Sequence, residues 1–155
     1  MKKIRVLFPY VEAGYGHIMP MKSIEQTFAG KYGDRVEVVS SRFFTETGKK
    51  PLIKYQKMMM DRVRTYNGHP FIGHFATLSC KVFGSFISSL CTIRIINPAA
   101  FREGVKHMRE LKPDVVFSTH WATNYYAEQL KENKPATVMY CPDAQLNPLF
   151  EYHSD

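Results

Sequence analysis

The chain has 155 residues, 45% of them hydrophobic and 23% charged, with a formal net charge of +7. That size and balance fit one globular domain with a sizeable core and argue against a disordered chain. Cys80, Cys91 and Cys141 form no CxxC pair and are odd in number, which argues against a disulfide framework or a zinc site, and the basic surplus points to an anionic partner: nucleic acid, an anionic membrane surface or a phosphorylated ligand.

In chain order, the start "MKKIRVLF" reads as a first strand and not as a signal peptide, because its apolar stretch is broken by Glu12 and Gly14. The apolar run "IRVLFPYV" (4–11) is of the buried-strand type, and "MPMKSIEQTFAGKY" (19–32) has apolar residues at helical spacing. "RVEVVSS" (35–41) reads as a second strand. The segment 97–112 reads as a helix, with Asn97 as its N-cap, Pro98 at the first helical position and a stripe of Phe101, Val105, Met108 and Leu111. "PDVVFSTH" (113–120) follows as a strand, 122–133 as a helix and "PATVMYC" (135–141) as a further strand. The β-α-β rhythm predicts an α/β fold: a Rossmann-like parallel sheet with helices on both faces. No window approaches the ~18 consecutive apolar residues of a membrane span, and the expected location is cytoplasmic.

Residues 42–96 break the rhythm and mix aromatic, methionine and basic residues. Between 48 and 102 stand Lys49, Lys50, Lys54, Lys57, Arg62, Arg64, Lys81, Arg94 and Arg102 against Asp61 as the only acid, so the rest of the chain is nearly neutral. Concentrated cations beside aromatics and methionines suit an anionic bilayer, each cation contributing about 1 kcal/mol near the lipid. The alternative is that Phe83, Phe86 and Leu90 are core and the lysines a solvated face. No helix-turn-helix, zinc or RNP-like pattern supports nucleic acid, so none is expected as a partner.

In a parallel sheet of this kind, ligands lie beyond the carboxyl ends of the strands. That places the loops 12–18, 118–124 and 141–148 together, with His17, His120 and Asp143 in them. "GYGH" is neither a dinucleotide fingerprint nor a P-loop. Its glycines, Gly14 and Gly16, permit positive φ and close approach of a ligand. A histidine at a helix N-terminus tends to stay neutral, and a neutral imidazole can act as a general base; equally, His17 can serve only to hydrogen-bond the turn. His69 and His74 lack a regular ligand spacing and read as surface or packing histidines. Cys141 reads as a buried thiol more readily than as a nucleophile. Trp121, Tyr125 and Tyr126 fit either a ligand groove or helical core packing.

The stretch "VLFPYVEAGYGHIMPMKSIEQTF" resembles the start of the diacylglycerol glycosyltransferases, the bacterial diacylglycerol glucosyltransferases and plant monogalactosyldiacylglycerol synthases. The resemblance resumes at "LKPDVVFSTHWATNYYAEQLKENKPATVMYCPDAQLNPLF" and covers the middle by composition. It implies the N-terminal half of a GT-B glycosyltransferase: 1–155 as one acceptor-binding domain, 42–96 as its membrane-facing insertion, and a donor-binding domain outside this chain. It implies His17 as the base that deprotonates the acceptor hydroxyl, Gly14 and Gly16 as turn glycines, and Thr119, His120 and Asp143 as acceptor-site or turn residues. The chain reads Cys141-Pro142-Asp143 where the family has Thr-Asp, and Tyr15 stands between its turn glycines. The implied reaction moves a sugar from a UDP-sugar to a diacylglycerol-type lipid with inversion, at the membrane periphery, with no cofactor and no bound metal. Lys49, Lys50, Lys54, Lys57, Arg62 and Arg64 are the expected membrane contacts. Two other readings stand beside it: the membrane-recruiting half of a split glycosyltransferase, and a non-catalytic ligand-binding module.

Overall fold

The computed structural model describes residues 2–12 and 15–141. Four parallel strands form one sheet in the order β2-β1-β3-β4: β1 (Ile4–Pro9), β2 (Val36–Ser41), β3 (Val115–Ser118) and β4 (Ala136–Met139). β1 is central, pairing Val6 with Val38 on one side and Val115 on the other. Its apolar run from Val6 to Pro9, buried throughout, is what a strand covered on both faces requires. Alternation then sorts the side chains. Val6 and Phe8 face a cluster with Met21, Phe28 and Phe117, whereas Leu7 and Val116 face a larger cluster with Leu52, Tyr55, Met108 and Tyr126.

The first cluster is covered by α1 (Tyr15–Tyr32), and the second by α2 (Lys50–Gly68), α4 (Pro98–Leu111) and α5 (Trp121–Glu128). Helices therefore flank both faces of an α/β, Rossmann-like sheet. The expected stripe on α4 holds: Met108 is buried, and Phe101, Val105 and Leu111 pack against the core. Gly104 lies on this helix where α5 presses closest, since an added Cβ would stand 2.5 Å from Cε1 of the buried Tyr126.

Three local expectations are corrected. α1 begins at Tyr15, before the expected 19, and runs through Pro20. Asn97 occupies the N-cap position of α4 without making the cap bond; its amide donates to the Thr92 carbonyl at 2.8 Å, taking up an acceptor left open by the π-helical turn Leu90–Ile95. α5 stops at Glu128, short of 133, where Gln129 and Leu130 close it with tight bonds to the Tyr126 and Ala127 carbonyls at 3.2 and 3.1 Å.

The long middle is helical. After α2, α3 (Pro70–Ser89) follows, broken at Gly84, whose φ of 76° is one that glycine adopts without steric cost. Gly104→Ala should overpack the α4–α5 contact and cost about 1–3 kcal/mol in urea unfolding. Unchanged stability would mean that the Tyr126 ring moves aside freely.

Candidate functional site

At the carboxyl edge of the sheet, β1 leads into α1 and β3 leads into α5. Because β1 and β3 are neighbours, these two connections meet. His17, in the first turn of α1, places Nδ1 2.8 Å from the carbonyl oxygen of Thr119, and the Thr119 hydroxyl donates back to the His17 carbonyl at 3.2 Å. Residues 102 apart in sequence thus hold one another twice.

The first bond settles a proton. A backbone carbonyl only accepts, so Nδ1 is the donor and carries the hydrogen. In the neutral ring Nε2 then presents its lone pair, and it takes no hydrogen bond among the described residues. His17 is half-buried, positioned to meet a ligand hydroxyl with an acceptor.

His120 is the complement. Its ring centroid lies 5.9 Å from that of His17 and 5.6 Å from that of Trp121, stacked at 26° on the indole. Burial first, and repulsion from His17 second, push its pKa down to about 3, so the ring is neutral. Its Nδ1 accepts the Ala122 N–H at 3.2 Å, capping α5, which leaves the proton on Nε2. The two imidazoles therefore hold opposite tautomers, His17 protonated on Nδ1 and His120 on Nε2.

The turn carrying Thr119 and His120 is rigid by construction. Ser118, Thr119 and Thr123 are all buried. Ser118 Oγ accepts the His120 N–H at 2.9 Å, and the Thr123 hydroxyl donates to the His120 carbonyl at 2.8 Å. Sequence reasoning found Thr119 and His120 but missed Ser118 and Thr123. Their signal was the pair of hydroxyls five residues apart that bracket a strand-to-helix turn.

Gly16 departs from its expected role. It lies within α1 and lacks the positive φ of a turn glycine, and an added Cβ there would meet nothing within 4 Å. The fold itself does not demand glycine at 16. Gly14 and Asp143 lie outside the described residues. Trp121, Tyr125 and Tyr126 are buried and belong to the core, with Trp121 also forming one wall of the His120 stack. His69 and His74 are exposed on α2's end and α3. Among the described residues no three His, Cys, Asp or Glu side chains converge as metal ligands would.

The six cations named from the sequence divide. Lys50, Lys54 and Lys57 share one exposed stripe of α2, with Lys49 just before it. Arg64 is exposed beside Asp61 at 3.6 Å, while Arg62 is half-buried and sits near the buried Tyr55 phenol. α3 adds what the sequence left open. Phe71, Phe75, Leu78 and Val82 form an exposed apolar stripe, Phe71 at 91% and Val82 at 70%, and Phe83 is 61% exposed and so not core. No single described helix is long and apolar enough to cross a membrane.

The enclosed His120, half-buried against Trp121, has a pH consequence. Its folded pKa of about 3 lies below the ordinary 6.5, so as pH falls between these values the unfolded chain takes up a proton that the folded chain refuses. Stability should fall with pH in that window, by at most about 1.4 kcal/mol per pH unit. His120→Asn keeps a capping side chain without the titration and should flatten the slope of urea-unfolding free energy between pH 6 and 4. Equal slopes in the two proteins would contradict this. No family model, no curated protein and no solved structure matches the chain.

Proposed function

We propose that this chain is the acceptor- and membrane-binding domain of a glycosyltransferase, which moves a sugar from a UDP-sugar to a diacylglycerol-type lipid with inversion. The observation that carries the reading is the His17–Thr119 bond, which engages Nδ1 and so leaves Nε2 as the ring's acceptor at the carboxyl edge of a parallel sheet. In the reaction, His17 Nε2 accepts the proton of the lipid hydroxyl as its oxygen bonds to the anomeric carbon. The bond from that carbon to UDP breaks on the opposite face, and its electron pair leaves with the phosphate. His120, neutral and stacked on Trp121, stands beside the base as a wall of the site without adding a second charge. The donor nucleotide is held by a second domain, on the same polypeptide or on a partner.

The acceptor's location explains the rest of the surface. A lipid hydroxyl lies at the bilayer interface, so the domain must dock there. The bare apolar stripe of α3 and the lysine stripe of α2 give the two attractions that peripheral docking needs. Insertion of aromatic side chains such as Phe71 and Phe75 is worth about 1.5–3 kcal/mol each when fully buried, and each lysine about 1 kcal/mol on anionic lipid. The location that follows is the cytoplasmic membrane periphery.

Two measurements test this. In an enzyme containing this domain and its donor-binding half, His17→Gln should lower turnover ~10²–10⁴-fold with little change in acceptor KM. Gly16→Ala should not destabilise the fold yet should raise acceptor KM, because no described residue lies within 4 Å of the added methyl on the side where the acceptor would sit. Near wild-type transfer by a folded His17→Gln protein would remove the base. Separately, the protein should sediment with anionic vesicles and be released by salt, since screening acts within about 10 Å at 0.1 M. Replacing Phe71 and Phe75 by serine should reduce binding at any salt, whereas replacing Lys50, Lys54 and Lys57 by glutamine should remove its salt dependence. Equal binding by wild type and both variants would rule out this face.

A further inference from the structure

We propose that Ser118 and Thr123 are positioning residues for His17, acting through the peptide group between Thr119 and His120. The proposal rests on His17 being the proton acceptor. One planar peptide carries both relevant groups: its carbonyl takes the His17 Nδ1–H at 2.8 Å, and its N–H donates to Ser118 Oγ at 2.9 Å. In a trans peptide these point in opposite directions, so whatever fixes the N–H also aims the carbonyl. Ser118 is fixed in turn. Its hydroxyl donates to Thr123 Oγ1, whose own hydrogen goes to the His120 carbonyl at 2.8 Å, and that carbonyl also lies 2.9 Å from Ser118 Oγ.

The donors line up in one direction: the imidazole Nδ1–H to the Thr119 carbonyl, the His120 N–H to Ser118, Ser118 to Thr123, and Thr123 to the His120 carbonyl. Aligned hydrogen bonds polarise one another, which strengthens the carbonyl as an acceptor for Nδ1–H. Burial excludes water that would otherwise replace a missing hydroxyl, because Ser118 and Thr123 are 0% exposed. The function assigned is tautomer selection: the turn keeps the proton on Nδ1 so that Nε2 stays the free base.

The test reads the proton directly. With ¹⁵N-labelled histidine, His17 of the wild-type chain should report an Nδ1–H tautomer by NMR. Ser118→Ala should move the tautomer ratio towards Nε2–H by about fivefold, the effect of losing one ordinary hydrogen bond. Thr123→Val, which keeps the shape, should move it in the same direction by less, and Ser118→Thr should restore it. A folded Ser118→Ala or Thr123→Val protein with an unshifted His17 tautomer would overturn the proposal, as would a wild type with Nε2–H dominant. Should Ser118→Ala fail to fold, Thr123→Val decides alone. A shifted tautomer with unchanged turnover in the assembled enzyme would uphold the positioning and overturn the role of His17 as base, so the two failures are distinguishable.

Discussion

The reciprocal pair of hydrogen bonds between His17 and Thr119 organises the molecule's upper edge. Each strand-to-helix connection supplies one donor and one acceptor to the other, so neither loop can shift alone. The pairing follows from topology: β1 and β3 are parallel neighbours, and their carboxyl ends lie side by side. It also bears on how α1 begins. Pro20 cannot donate to the Gly16 carbonyl four residues back, which weakens the first turn of the helix. The bonds across to Thr119 hold that turn from outside.

Much of the fold was legible because its central strands, β1 and β3, are covered on both faces and therefore read as largely apolar runs. The stripe on α4 was legible for the related reason that one face meets the core. What local pattern could not supply was tertiary. Helical spacing starts at Met19, yet the helix reaches back to Tyr15, where a residue from another connection anchors it. Asn97 has the composition of a cap, but a nearer open carbonyl takes its amide. The site shows the same limit. His17 could be nominated from its place at a turn, but which nitrogen bears its proton depends on a carbonyl 102 residues away. The lysines of α2 could be counted in the sequence, while the bareness of α3's apolar stripe could not, since the same spacing on a covered helix would be core.

α2 carries two duties on opposite sides. Its inner face buries Leu52, Tyr55 and Met59, and the buried Gln56 donates to the Glu12 carbonyl at 2.8 Å, in the connection that leads to His17. Its outer face carries the lysines. One helix thus joins the lysine-bearing surface to the connection that leads from β1 by direct contact. The neighbouring α3 differs, since Gly84 breaks its course and lets its two parts adopt separate directions.

Trp121 has a consequence of another kind. It is the chain's single tryptophan, 8% exposed and stacked on His120. Imidazolium quenches indole emission far more than neutral imidazole does, and here the imidazole is kept neutral by its surroundings. The protein's tryptophan emission, excited apart from its nine tyrosines, thus originates from one place, beside the paired histidines. Any event that separates the two rings or wets the gap between them changes the colour and yield of that light, so the molecule carries its own optical gauge of the site without a label.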